Sequence, residues 1–381
     1  MKTMDWKIPL FKMYWDTQDI NAVTKVIKRG SYWTMGPEVQ LLENAIAGFL
    51  GKKHSVSFNS GTSALHAALL AHGIKQGDQV IVPSFTFIAT ANVVVLTGAT
   101  PVFADIEEQS YGLDPEDVKE KITNKTKAIV PVHYGGGPCK NIKALRDIAE
   151  DHHLILIEDA AESLGAKIHN RYVGLFGDSA MFSFCQNKVI TAGEGGMIVT
   201  DSGAVAEKLR LIRSHGRVES KEGYFATTQE LDYIQTGYNY RLPSLNAALI
   251  LSQYKKFKKI VSIRREKAAF YTKKLSSIPS LRTPAESKGE YHVYQMYTIE
   301  LPDRETRDHI QQQLTKAQVM TKIYFEPIHL KTFYTKEFNY KKNDLPVTEK
   351  MAEKVLTLPL YPSLTKKEME YIISAIEKGC K

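Results

Sequence analysis

The chain has 381 residues, of which 43% are hydrophobic, and a formal net charge of +8. That length allows two domains with a large core, and the composition excludes a disordered chain. Three cysteines, Cys139, Cys185 and Cys380, without a CxxC pair, argue against a disulfide scaffold or a zinc site and point to the cytoplasm.

The first fifteen residues lack the apolar core of a signal peptide. No run approaches the ~18 apolar residues of a membrane helix, so no membrane association is expected. Lysine pairs such as Lys255-Lys256 and Lys258-Lys259 spread the basic excess along a solvated face. That pattern argues against nucleic-acid binding and leaves an anionic small substrate as the natural partner.

Residues 1–30 read as an N-terminal arm and a helix, ending at Lys28-Arg29-Gly30. A Gly36-Pro37 loop and a helix over 38–49 follow. Short apolar runs then alternate with helical patterns. Strands are predicted at 55–58, 80–82, 101–104, 128–132, 154–158, 179–184 and 197–200. Helices are predicted at 63–72, 87–96, 115–122 and 141–151. This alternation predicts an α/β fold, a mainly parallel seven-stranded sheet flanked by helices. In such sheets ligands bind beyond the carboxyl ends of the strands. Residues 59–63, 83–87, His133, Asp159 and the loop after Phe184 then share one rim. Beyond a helix at 203–215 and another opened by Pro243, the pattern changes. A Lys/Arg-rich helix is predicted from about Leu251 to Leu275, alternating segments at 293–301 and 319–325, and a last helix at 366–378. We therefore expect a large domain at 1–250 and a smaller α+β domain at 251–381.

Two residues on that rim carry a chemistry. Lys188 follows the apolar run 180–184 and precedes Gly193-Glu194-Gly195-Gly196. A lysine that burial keeps neutral is a nucleophile for carbonyls. Asp159 closes another apolar run, where a carboxylate needs a partner. A lysine for an aldehyde and an acid for a ring nitrogen together point to pyridoxal 5'-phosphate. Asn59-Ser60-Gly61-Thr62-Ser63 ends a strand and opens a helix, and backbone N–H groups at such a start bind phosphate. The same pattern also serves as a plain helix cap. Ser183 adds a hydroxyl, and Phe87 is an aromatic able to stack on a ring or fill the core. Gly135-Gly136-Gly137-Pro138 lacks the spacing of a dinucleotide-binding loop, and its proline opposes a helix start, which argues against a dinucleotide oxidoreductase.

With these residues in view, the sequence resembles the DegT/DnrJ/EryC1/StrS family of sugar aminotransferases, pyridoxal-phosphate enzymes of fold type I. The matching stretches are Trp33 with Gly36-Pro37, then 59–65, 83–90, 158–163, 182–184 with Lys188, 193–196, 213–216, 237–241 and 358–362. The resemblance implies that Lys188 binds the cofactor and shuttles a proton. It implies that Asp159 binds the pyridine nitrogen, that Gly61, Thr62, Ser63 and Ser183 hold the phosphate, and that Phe87 lies against the ring. Asn239 would reach the phosphate of a neighbouring subunit, which implies a homodimer with shared active sites. Glu162 stands beside the cofactor where many members carry Gln or His, and Glu at this position resembles the perosamine-synthase type. The Gly-Glu-Gly-Gly run is closer to enzymes that aminate sugar C-4 than C-3. The implied reaction moves an amine from an amino acid, glutamate foremost, to a nucleotide-linked 4-keto-6-deoxy sugar. Alternatives are amination at C-3 or of a ketocyclitol, and a non-catalytic regulatory protein that binds the cofactor. Arg241 and His329 are weaker candidates for substrate contact.

Overall fold

In the computed structural model, which describes residues 6–218, 227–228 and 230–380, the predicted strands form one seven-stranded sheet. They are β1 (His54–Phe58), β2 (Gln79–Pro83), β3 (Thr100–Ala104), β4 (Thr126–Ile129), β5 (Ile155–Asp159), β6 (Ser179–Ser183) and β7 (Gly196–Thr200). The order is β1-β7-β6-β5-β4-β2-β3. All pairs from β3 to β6 are parallel, and β7 is antiparallel to both β1 and β6. Both faces of the sheet are covered. β2, β5 and β7 therefore read as apolar runs, without the polar alternation of a half-exposed sheet.

The helices that matter to the site are α1 (Thr17–Arg29), α2 (Pro37–Leu50), α3 (Gly61–Ala71), α4 (Ala89–Leu96), α5 (Pro115–Glu120), α6 (Ile142–Asp151), α7 (Gly203–Arg213), α8 (Ser244–Lys255) and α9 (Phe257–Leu275). One apolar layer packs Leu65 of α3, Val94 of α4 and Leu209 of α7 on Val56, Val82 and Ile198. The opposite layer packs Leu42 and Ile46 of α2 and Ile250 of α8 on Phe182 and Val199. Glu43 of α2 ties the elements further. Its Oε1 accepts from Arg213 Nη1 at 2.6 Å and from Ser57 N at 2.8 Å, in a fully buried network.

The helix predicted from Leu251 to Leu275 is interrupted. Lys256 leaves the helix at φ −102° and ψ 1°, between α8 and α9. Its ammonium lies 2.7 Å from both Asp16 and Asp19. The break thus depends on carboxylates more than two hundred residues away, which no local pattern reveals.

Beyond α9, β8 (Tyr297–Glu300) pairs antiparallel with β9 (Val355–Leu358). Around them Tyr271, Tyr297, Ile310 and Ile372 build a further core, which buried Ile8 joins. The segment predicted at 319–325 makes isolated bridges, Val319 with Ile8 and Lys322 with Thr357, in place of a strand. The first five residues of the predicted arm lie outside the described residues. Among the described residues no helix is long and apolar enough to cross a membrane.

Candidate active site

The rim predicted beyond the carboxyl ends of the strands exists. β1, β5 and β6 deliver Asn59, Asp159 and the 184–195 loop to the same edge of the sheet. β7 starts there, because it runs the other way. Gly196 faces Phe58 on one side and Ser183 on the other. A Cβ on Gly196 would stand 2.2 Å from Ser60 O and 2.8 Å from Gly61 N, so only glycine permits this approach. A Cβ on Gly61 would meet Ser183 Cβ at 3.1 Å. The first turn of α3 is thereby pressed onto the ends of β6 and β7, with its free N–H groups at the rim.

Ser60 caps α3, one residue earlier than Gly61. Its Oγ accepts from Ser63 N and Ser63 Oγ accepts from Ser60 N, both at 3.1 Å. Ser63 is buried and also donates to Asn59 Oδ1 at 2.5 Å. Its hydroxyl is committed to the cap, whereas Thr62 is exposed beside it. Half-buried Ser183 accepts the Cys185 N–H at 3.3 Å.

Asp159 is the last residue of β5 and is 5% exposed. Oδ2 accepts from Thr90 Oγ1 at 2.8 Å, and Oδ1 from Ala161 N at 3.2 Å. Burial pushes its carboxyl above the ordinary range, against the pull of these donors and of Lys188. Thr86 supports Thr90 at 3.1 Å. The preceding Glu158 faces the other way into full burial. Burial alone would raise it, but His133 Nε2 at 2.9 Å and the N–H groups of Gly174, Phe176 and Gly177 hold it below the ordinary range. His133 accepts the Cys139 N–H on Nδ1, so its proton is on Nε2 and points at Glu158. His133 is therefore a buried brace under the rim.

Lys188 Nζ lies 3.3 Å from Glu162 Oε1, and the other carboxylate oxygen accepts the Gly135 N–H at 2.9 Å. Glu162 is 8% exposed. Tyr324 closes in beside them, its hydroxyl pushed up to about 12 by burial and then by Glu162 and Cys185. Cys185 is raised by burial and by Glu194, whose Oε1 is 3.7 Å from the thiol.

The remaining predicted residues divide. Phe87 is 61% exposed. Asn239 lies between Tyr238 and Tyr240, whose rings stack at 4.7 Å, and its side chain is exposed while its backbone carbonyl accepts from Asn59 Nδ2 at 3.3 Å. Arg241 is half-buried. His329 is fully buried, bonded to Ser84 Oγ at 2.8 Å and Glu349 Oε1 at 3.2 Å, and so belongs to the packing. Sequence reasoning passed over Thr90 and Gly135. Thr90 lies in the first turn of α4, and no pattern in the sequence linked it to Asp159. Gly135 gave no signal either, since only the fold brings it to Glu162.

These residues fit pyridoxal phosphate: a buried carboxylate, an amine within reach of it, and a glycine-lined helix start that side chains would fill. They define a cofactor-dependent aminotransferase on an α/β scaffold. The chain belongs to the DegT/DnrJ/EryC1/StrS aminotransferase family, whose model matches residues 14–377, and is a pyridoxal-phosphate enzyme of that family. It is similar to GDP-perosamine synthase of Vibrio cholerae, at 35% identity over 97% of this chain and 98% of that one. It is similar also to the spore coat polysaccharide biosynthesis protein SpsC of Bacillus subtilis, at 35% identity over 94% and 93%. Among solved structures, NtdA of Bacillus subtilis, with bound cofactor PMP, superposes with a TM-score of 0.86 at 30% identity, over 95% of this chain and 81% of that one.

Proposed function

We propose that the protein transfers an amino group from an amino acid, glutamate foremost, to the C-4 ketone of a nucleotide-linked 4-keto-6-deoxy sugar. The product is an amino sugar for a surface polysaccharide or a related glycan. The observation that carries this reading is the meeting of Lys188, Glu162 and buried Asp159 at one rim with the start of α3. Similarity to GDP-perosamine synthase and to SpsC supports the sugar and the glycan. Glu162 and the Gly193-Glu194-Gly195-Gly196 run support C-4. The net charge of +8 favours the approach of a diphosphate. The three free cysteines agree with work in the cytoplasm.

In this reading Asp159 accepts a hydrogen bond from the protonated ring nitrogen, which supplies the countercharge its burial otherwise denies it. The N–H groups of Gly61 and Thr62 and the Ser183 hydroxyl hold the phosphate. Ser63 keeps the turn in shape from within the cap. Phe87 would cover one ring face, and Glu162, paired with Lys188, would pack beside the cofactor. Lys188 Nζ removes the proton from the donor carbon and delivers one to the sugar carbon. The cofactor, when bound, supplies the electron sink. Asn239 reaches the phosphate of a second copy, so that two chains share their sites. Its exposed side chain and the exposed Trp33, Ile234 and Tyr238 support such a homodimer.

The test is the visible absorption spectrum of the purified protein before and after glutamate, followed by nucleotide-linked 4-keto-6-deoxyhexoses and a ketocyclitol. A yellow protein that bleaches with glutamate and then aminates the keto sugar at C-4, read by NMR of the product, is the expected result. Amination of the ketocyclitol alone, or at C-3, overturns the substrate. A yellow protein that accepts an amine from no amino acid overturns the reaction.

A further inference from the structure

Lys188 sits on the turn after β6. Its N–H donates to Cys185 O at 2.9 Å, and the turn is tied back where Ala192 N donates to Phe184 O at 3.1 Å. The carbonyl just before the lysine, that of Asn187, accepts a hydrogen bond from Gln295 Nε2. Gln295 is 5% exposed and comes from a segment more than a hundred residues away. That segment is clamped on two sides. Val293 N donates to Gly136 O at 2.8 Å and Met296 N to Gly135 O at 2.9 Å. On the other side buried Arg264 of α9 donates to Gln295 O at 2.7 Å and to Tyr294 O at 2.8 Å. The approach needs glycine at 136. Its φ is +104°, and a Cβ there would stand 2.5 Å from Gln295 N. Gly135 N is also the donor that holds Glu162 against the lysine amine. The glycine run, which the sequence offered only as a failed dinucleotide loop, therefore braces Lys188 twice. One brace meets its amine through Glu162, the other its peptide through Gln295.

We infer that Gln295 is a positioning residue for Lys188: by fixing the Asn187 carbonyl to the Gly135-Gly136 turn, it sets where the lysine amine stands. The inference rests on the reading of Lys188 as the cofactor lysine. The competing explanation is folding alone, and the amide argues against it. Asn187 O only accepts, so Nε2 must face it, and Gln295 Oε1 is left buried without a hydrogen-bond partner. Methionine would fill similar space with no unsatisfied oxygen. What the other end of the amide holds explains why it is there. Gln295 also borders a half-open cleft of about 290 Å³, solvent at its mouth included, with Leu10, Asn187 and Tyr324.

The experiment uses the full chain with Gln295→Met and Gln295→Glu. Borohydride reduction and peptide mass spectrometry of the parent first locate the cofactor. Cofactor-free protein is then mixed with pyridoxal phosphate, and the rise of the visible band gives the capture rate without turnover. Kinetics of the glutamate half-reaction and the unfolding midpoint complete the set. In Gln295→Met we expect capture and kcat to fall about tenfold or more, with KM for glutamate within about twofold and the midpoint nearly unchanged. Gln295→Glu keeps the shape but sets an acceptor against the Asn187 carbonyl, and is expected to be at least as slow. Parent-like capture and kcat in Gln295→Met, with the parent labelled at Lys188, overturn this inference alone. Loss of folding in both variants also overturns it, because it marks a structural role. Cofactor trapped elsewhere than on Lys188 overturns the functional reading and this inference with it.

Discussion

Lys188 and Glu162 form an ion pair of 3.3 Å in a place almost closed to water, with side chains 13% and 8% exposed. A charge there depends on its partner. Glu162→Ala strands the ammonium and also frees the Gly135 N–H. We expect it to destabilise the cofactor-free protein by about 2–3 kcal/mol, at the low end for a buried pair because the site is not fully dry. The double variant with Lys188→Ala should recover part of that loss. A urea-unfolding double-mutant cycle measures it, and strictly additive losses would refute the coupling.

Lys188→Ala alone addresses the chemistry. It removes the group proposed to carry the proton, and the expected loss in kcat is at least about a thousandfold. The variant should still take up pyridoxal phosphate through Asp159 and the start of α3. Its spectrum should then be that of the free aldehyde, not of a lysine adduct. Retention of more than a few per cent of the parent's glutamate-dependent rate would remove Lys188 from its role.

Asp159 links the site to stability. Its carboxyl is held above the ordinary carboxylate range, by burial first. The folded cofactor-free protein therefore holds this proton more tightly than the unfolded chain does. Stability from this group is present below the ordinary carboxylate pKa of about 4 and is lost as pH rises through the raised value. Asp159→Asn deletes that titration. In cofactor-free protein we expect the variant to lose less stability than the parent between pH 4 and pH 7, and to be no less stable at pH 7. Its affinity for the cofactor should nevertheless drop. Parallel stability curves for the two proteins would contradict the assignment.

Much of this was legible in the sequence because it was local. The apolar runs that became β5 and β6 are buried on both faces, so their ends, and with them Asp159 and Lys188, could be placed without a structure. The start of α3 was misplaced by two residues only because Ser60 and Ser63 are both good caps, and Ser60 takes the part. What stayed hidden is held across the chain. The break at Lys256 depends on Asp16 and Asp19, the burial of His329 on Ser84 and Glu349, and the use of Gly135 on Glu162. In each case the partner lies at least twenty residues away, and no periodicity records it.

Gly196 tests the cradle. A methyl group there would run into the Ser60 carbonyl, backbone against backbone, with nothing flexible to yield. Gly196→Ala must push the first turn of α3 away from β7. We expect a loss of about 1–3 kcal/mol in stability and about tenfold or more in affinity for pyridoxal phosphate. Gly193→Ala is a control for space, since its Cβ would meet nothing within 4 Å, although its φ of +82° makes it strained in its own right. Fluorescence titration of cofactor-free protein measures the affinity. Tight binding by Gly196→Ala would show that the turn is not the phosphate cradle.

His329 separates packing from substrate contact. Its Nδ1 meets the Ser84 hydroxyl, its own N–H donates to the same oxygen at 3.0 Å, and Nε2 faces Glu349. Burial pulls its pKa below the ordinary histidine value, despite Glu349. The folded protein thus resists protonation that the unfolded chain accepts below about pH 6.5. This contribution to stability is present above that pH and is lost as pH falls below it. His66, His72 and His292 are lowered by burial too, so the parent's acid limb alone does not isolate His329. Comparison with His329→Gln does. At pH 7.5 the variant should be about 2 kcal/mol less stable, because the Ser84 and Glu349 contacts are broken. Between pH 7 and pH 5 it should lose less stability than the parent. KM for the keto sugar should stay within about twofold, since the ring has no surface to offer a substrate. A large rise in KM at unchanged stability would return His329 to the substrate site.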